Sequence, residues 1–285
     1  MAQTSAAPPE LVARLDFDLL TRVVKGPGDT VVAELDPSIR GAYFGIHGGY
    51  LACILLRAMW TSVPEGHAPR SFTCQLPRPA RVGPISAEVG IEHRGRSSTA
   101  TTVKARQGAS TIALGHAVFG AAIPTQGDSC LRGPAVAAPE KWTPAHGPAP
   151  WLGIEQRPVH CAEPESANAA WMRLRDDRPL DMFSATVLAD GMLPVVATDL
   201  DGELAAPTAE LSIHFGAIPR GTASPWALGI FRNRQCRDGW AVEDGEIWTR
   251  DGVLALSSRQ LRRVLSTRDT QVPGTRAAVR EGGRA

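Results

Sequence analysis

His47 is the most tempting side chain for chemistry. It precedes Gly48 and Gly49 at the start of an apolar run, and an imidazole titrates near neutrality, so it could serve as acid, base or oxyanion donor. A capping or purely structural histidine is the competing reading, and the sequence leaves both open. Asp190 lies inside the apolar segment LADGML, where an unpartnered carboxylate would cost several kcal/mol, so it must find partners or reach solvent. On local pattern alone it reads equally as a turn residue at a helix end. Thr208, beside Pro207, reads as a strand starter, and Gln260, in an alternating run, as a solvent-facing residue. Cys53 follows the helix start, but on an apolar helix face a buried structural thiol outweighs a nucleophile. His93, His116 and His214 fall in strand-like runs and are expected to pack; none has zinc-ligand spacing, so no metal is expected. A serine hydrolase is excluded by the lack of a G-x-S-x-G elbow. Neither a Walker-type loop nor G-x-G-x-x-G occurs, and GPGDT after Lys25 reads as a turn.

These residues need elements to hold them. From Gly45 to Trp60, Leu51, Ile54, Leu55, Ala58 and Met59 recur at helical spacing after the glycines, which predicts a mostly buried helix. Four strand-like runs follow: SFTCQLPRPA from Ser71, ISAEVGIEHR from Ile85, SSTATTVKARQ from Ser97 and STIALGHAVF from Ser110. Later, Leu180 to Val196 suits a helix that breaks near Gly191 and Pro194, and again four runs follow: TAELSIHFGA, WALGIFRNRQ, WAVEDGEIWTR and VLALSSRQLRR. The late hairpins correspond, QGASTIALGHAVF with RDGVLALSSRQL, in turn position and apolar alternation. Between the halves, Pro124, Pro134, Pro139, Pro144, Pro148, Pro150 and Pro158 break helix and strand alike, which predicts a linker. One helix followed by an antiparallel meander, occurring twice, is economically an α+β double hotdog: two helix-plus-antiparallel-sheet repeats in one chain forming a pseudo-dimer, with sheets joined edge to edge. Two unrelated α+β domains are the alternative. The expected division is an N-terminal hotdog over 10–120, a Pro-rich linker over 121–160, a C-terminal hotdog over 161–266 and a disordered tail over 267–285, with the first residues also frayed.

Composition sets the limits. With 285 residues, 43% hydrophobic and 21% charged, the chain can bury a large core, and its length suits roughly two domains of about 150 residues. Thirty Lys and Arg nearly cancel 29 Asp and Glu, for a net charge of +1, which argues against nucleic acid as a partner. No apolar run approaches the roughly 20 residues of a membrane span, and the opening MAQTSAAPPELVARLD lacks the apolar core of a signal peptide. A soluble, cytoplasmic protein without membrane association is expected. Cys53, Cys74, Cys130, Cys161 and Cys236 form no Cys-x-x-Cys pair and read as buried thiols.

GIHGGYLA with its LLRA helix, LPRPARVGP, HRGRSSTATTVKARQ with the later AVF, then LADGMLP, PTAELSIHF, FRNR, DGW and WTRDGVLALSSRQ occur in that order. The ordered set resembles the TesB-like (type II) acyl-CoA thioesterases over roughly Leu15 to Val264. The resemblance implies a double hotdog that hydrolyses acyl-CoA thioesters without cofactor, metal or covalent intermediate. It also implies a catalytic set of Asp190 in LADGMLP, Thr208 in PTAELSIHF and Gln260 in SSRQLRR. Thioester hydrolysis needs a water aimed at the carbonyl carbon, a proton acceptor and donors for the oxyanion. Asp190 would take the proton, while Thr208 and Gln260 hold the water by neutral hydrogen bonds. Backbone N–H groups of Gly48 and Gly49 at the first helix start would bind the oxyanion, which sets Gly49 opposite Asp190 as in hotdog pairs. The resemblance does not settle His47. Arg94, Arg96, Arg232 and Arg234 could meet coenzyme A phosphates, although surface arginine is the default. Met59, Trp60, Met182, Phe183 and Met192 lie near the helices and would bias the site to small acyl groups unless they are simply core. The expected function is thus a thioesterase of lipid metabolism acting on an acyl-CoA or acyl-carrier thioester, with homo-oligomerisation open. Its rivals are a hotdog hydratase or dehydratase using a His47–Asp190 pair, and a non-catalytic acyl-binding or tailoring protein.

Overall fold

The computed structural model describes residues 16–41, 45–123, 131–144, 153–159, 167–199, 204–218 and 224–266. A single helical turn, α1 (Phe17–Leu20), and strands β1 (Val24–Lys25) and β2 (Thr30–Leu35) lead into α2 (Gly48–Trp60). α2 carries no charge before Arg57 and is buried almost all round, as a central helix must be. Strands β3 (His67–Gln75), β4 (Gly83–Arg94), β5 (Ser98–Gln107) and β6 (Ser110–Ala121) complete the first half. The second half runs β7 (Ile154–Pro158), β8 (Ala167–Leu174), α3 (Met182–Leu188), α4 (Val196–Asp199), β9 (Leu204–Ala205), β10 (Thr208–Phe215), β11 (Ala227–Arg237), β12 (Trp240–Thr249), β13 (Leu254–Arg263) and β14 (Leu265–Ser266).

One antiparallel sheet of twelve strands has the order β1-β2-β4-β5-β6-β3-β10-β13-β12-β11-β8-β7. Its two halves mirror each other about the β3–β10 junction, each with a helix that follows its β2 or β8 strand. This is the double hotdog, with the halves joined edge to edge so that neither β3 nor β10 is left as a free edge. The mirror extends to irregularities in register. The bulge in β3 between Pro69 and Ser71 recurs in β10 between Thr208 and Glu210. That in β4 between Ile91 and His93 recurs in β11 between Asn233 and Gln235, and that in β6 at Ile112, opposite Ala105 and Arg106, recurs in β13 at Ala255, opposite Ile247 and Trp248.

Several expectations need correction. Only β4, β5 and β6 form a meander in the first half, because β3 crosses over to pair with β6 and β10 instead of β4. The second helical stretch is divided: α3 ends at Leu188, and only α4 follows the break at Gly191 and Pro194. β7 forms within the stretch expected to be a linker; it is the outermost strand, where Pro158 costs no interior ladder bond. His93, His116 and His214 do not pack in the core but lie exposed, since their strand positions point away from the helices. Cys53 and Cys74 are buried, whereas Cys236 on β11 is exposed. Cys130, Cys161 and the two chain ends lie outside the described residues. Among the described residues no helix is long and apolar enough to cross a membrane.

Candidate active site

Asp190 sits just beyond the end of α3 and faces the start of α2. It is only 7% exposed, so its lone pairs must be filled from the protein. Oδ2 accepts the Gly49 N–H at 3.0 Å, at the positive end of the α2 dipole. Oδ1 accepts the Thr208 hydroxyl at 3.0 Å and lies 3.3 Å from the Arg262 guanidinium. The glycines make this approach possible. A Cβ on Gly48 would lie 2.7 Å from Oδ2 of Asp190, and one on Gly49 would lie 2.7 Å from the Val187 carbonyl of α3.

Thr208 reaches the carboxylate because β10 carries its bulge one step inside the strand. Strict alternation from Leu211 and Ile213 would turn Thr208 to the outer face; the extra residue returns it to the helix side. Gln260, 1% exposed on β13, donates from Nε2 to the Ala189 carbonyl at 2.7 Å, which fixes its amide so that Oε1 faces the Thr208 hydroxyl at 3.0 Å. The structure therefore brings Asp190, Thr208 and Gln260 into one hydrogen-bonded cluster at the Gly48–Gly49 helix start.

Two members of the cluster escaped the sequence analysis. Arg262 donates to Thr208 Oγ1 at 3.0 Å and is itself gripped by Glu243, through Nε at 3.0 Å and Nη2 at 2.9 Å. Glu243 is anchored in turn by the Val195 N–H at 2.7 Å. A signal for both existed: Arg262 shares a strand face with Gln260, and Glu243 pairs with Gln260 across the β12–β13 hairpin.

His47 lies within the site as the N-cap of α2 but makes no capping bond with its side chain. Its Nε2 is 2.7 Å from the Asp190 main-chain oxygen, and since a carbonyl only accepts, that nitrogen carries the proton. Its Nδ1 is buried without a hydrogen-bond partner among the described residues, and the carboxylate Oδ2 is 3.5 Å from Nε2. Burial pushes the Cys53 thiol up to about 12, which leaves it protonated inside the core. Of the arginines considered for phosphates, Arg94 donates to the Ser62 carbonyl, Arg232 pairs with Glu246 and Arg234 with Asp244, while Arg96 is exposed. Trp60 and Phe183 pack against each other with ring centroids 4.9 Å apart and planes tilted by 40°.

Among the described residues the mirrored half has no such cluster. Laying bulge on bulge sets Pro69 in the place of Thr208. Following the cross-strand pairs then sets Ala117 in the place of Gln260, Phe119 in that of Arg262 and Thr101 in that of Glu243. Counted from the N-caps His47 and Asp181, the helix positions of Gly48, Gly49 and Asp190 fall on Met182, Phe183 and Leu56.

Comparison with known proteins meets this geometry. Residues 35–120 match the family model of the acyl-CoA thioesterase N-terminal domain, and residues 124–264 match that of the acyl-CoA thioesterase C-terminal domain. Comparison with curated proteins returned no match. Among solved structures, a conserved protein of unknown function with a hot dog fold from Alicyclobacillus acidocaldarius is 24% identical, with 88% of this chain and 98% of that one covered and a TM-score of 0.79. A candidate thioesterase II from Thermobifida fusca is 25% identical, covering 88% and 97%, with a TM-score of 0.78. An acyl-CoA thioesterase II, TesB2, from Mycobacterium marinum is 18% identical, covering 88% and 98%, with a TM-score of 0.71. With both halves of the domain pair matched in order and the mirrored sheet that such a pair requires, the chain belongs to the acyl-CoA thioesterase family and is a thioester hydrolase.

Proposed function

We propose that the chain hydrolyses acyl-CoA thioesters by direct attack of a water that Asp190 deprotonates. The observation that carries this reading is the Asp190 carboxylate, buried and hydrogen-bonded through both oxygens, set between the α2 start and the Thr208–Gln260 pair. In the attack the water oxygen bonds to the thioester carbon, its proton passes to Asp190, and the carbonyl electrons move to oxygen. Collapse of that oxyanion breaks the C–S bond, and the thiolate leaves with the electron pair and takes up a proton. Gly48 and Gly49 present the first-turn N–H groups of a 13-residue helix, which favour the developing negative charge. The Gly49 N–H already donates to the carboxylate. Protonation of Asp190 during the attack weakens that bond and frees the N–H for the oxyanion. Thr208 and Gln260 supply neutral donors and acceptors that orient the water without a competing charge. A role in lipid metabolism belongs to the same proposal.

A His47–Asp190 acid–base pair for hydration chemistry is disfavoured. The proton-bearing nitrogen of His47 is engaged by the Asp190 backbone, and the other is sealed from solvent. The deciding experiment follows thiol release from a chain-length series of acyl-CoA thioesters. Asp190→Asn, folded by circular dichroism, is expected to lose about 10²- to 10⁴-fold in kcat. Near-normal hydrolysis by that variant would overturn the assignment of the base. Binding without turnover by the unmodified chain would instead favour an acyl-binding protein, and water addition to an enoyl-CoA would favour a hydratase.

A further inference from the structure

Arg262 is 4% exposed, and its guanidinium is used along its whole fork. Nη2 reaches Asp190 Oδ1 at 3.3 Å and Glu243 Oε1 at 2.9 Å; Nη1 donates to Thr208 Oγ1 at 3.0 Å and to the Ala206 carbonyl at 3.3 Å; Nε donates to Glu243 Oε1 at 3.0 Å. Simple neutralisation of a buried carboxylate would need one of these contacts. The remainder tie the Asp190 carboxylate, the Thr208 hydroxyl and the strand leading into β10 to one rigid plane. The Thr208 hydroxyl shows why that matters. It has a single hydrogen and two acceptors at the same 3.0 Å, Asp190 Oδ1 and Gln260 Oε1. Donation from Arg262 fills one lone pair of the oxygen and so limits where that hydrogen can point. Asp190 is faced by His47 from the α2 N-cap, by Cys74 from β3, by Arg262 from β13 and, behind Arg262, by Glu243 from β12.

We propose that Arg262, clamped by Glu243, is a positioning residue for hydrolysis that fixes the base Asp190 and the hydroxyl of Thr208 relative to one another. The proposal rests on the reading of Asp190 as the base. An angstrom-scale slip of a positioned group costs up to about 100-fold in rate, so Arg262→Met is expected to lower kcat by about 10- to 100-fold with KM changed less than about threefold. Arg262→Lys keeps the charge without the fork and is expected to recover only part of the loss. Glu243→Gln keeps an acceptor oxygen but loosens the clamp, and should lower kcat by a smaller factor. If Arg262 merely tied the strands together, all three variants would melt at lower temperature yet turn over within about twofold of the parent well below their melting points, and that result would overturn the proposal. Should Arg262→Met fail to fold, kcat in Arg262→Lys and Glu243→Gln decides by the same criterion. Asp190→Asn, assayed in parallel, separates the two readings. An inactive Asp190→Asn beside a fully active Arg262→Lys sinks only the role of Arg262, whereas an active Asp190→Asn sinks the base itself.

Discussion

Asp190 draws hydrogen bonds from a helix start, a strand end and a strand interior at once, and each donor is within reach because a particular neighbour is small or irregular. Gly48 illustrates the dependence. Its backbone is not in the left-handed region, so an alanine there is conformationally allowed, and the change from Gly to Ala favours a helix by up to about 1 kcal/mol. The added Cβ, however, would lie 2.7 Å from Asp190 Oδ2 and 3.3 Å from the Leu76 side chain. The carboxylate is the group able to swing aside, and by doing so it lets go of the Gly49 N–H. Gly48→Ala is therefore expected to melt within a few degrees of the parent while kcat falls by about tenfold or more, read by thermal unfolding and thiol release on the same preparation. A fall in melting temperature without loss of turnover would mean that Oδ2 has room to spare.

One residue further along the same helix, the consequence moves from the carboxylate to the packing of two elements. A Cβ on Gly49 would lie 2.7 Å from the Val187 carbonyl oxygen and 3.1 Å from the Val187 Cα, and backbone cannot rotate out of the way. α2 and α3 would have to part, and overpacking of this kind costs about 1 to 3 kcal/mol. Gly49→Ala is thus expected to lower the melting temperature by roughly 2–4 °C for each kcal/mol lost, in contrast to Gly48→Ala; an unchanged melting temperature would show that the helices slide without cost. The same elements show what the sequence could disclose. α2 was legible because its apolar residues recur at helical spacing, and β4, β5, β12 and β13 because burial alternates along them. β8 was not, because AAWM within it is buried on consecutive positions and shows no alternation. The crossover of β3 left no trace either, since a strand's pattern reports which face is buried and not which neighbour it pairs with. At the site, Thr208 and Gln260 were placed by family likeness and not by pattern. The inward turn of Thr208 hangs on a bulge that alternation does not display, whereas Arg262 and Glu243 lie beside Gln260 in the simple register of the β12–β13 hairpin.

Across the whole molecule, the outer strands depend on carboxylates in a way that sets acid stability. Burial raises the Glu155 carboxyl on β7, but Arg173 and Arg157 more than offset this and hold it below its ordinary 4.5. A carboxylate depressed on folding adds stability above its unfolded value and loses it as the pH falls, so melting temperature should be flat above about pH 4.5 and decline below it. Glu155→Gln should lower the neutral-pH melting temperature slightly and blunt that decline; an undiminished acid decline would assign it to other carboxylates. The pseudo-twofold symmetry has a stronger consequence for function. A sheet of two matched halves, with bulges at matching places, has two geometrically equivalent positions for a site, yet among the described residues only one holds a carboxylate with donors around it. At the other position Pro69 lacks the hydroxyl of Thr208, Ala117 and Phe119 lack the amide and guanidinium of Gln260 and Arg262, and Met182 and Phe183 stand at the helix start where the α2 start has Gly48 and Gly49. Phe183 is instead covered by the Arg57 guanidinium at 4.3 Å and by Trp60, which spends that space on packing. Each chain is therefore expected to bind one equivalent of a non-hydrolysable acyl-CoA thioether, measured by calorimetric titration, and Asp190→Asn to abolish turnover without a residual half-activity. Two equivalents per chain, or half of the rate surviving in Asp190→Asn, would mean that the Pro69 half works by a chemistry that needs neither a carboxylate nor a glycine-opened helix start.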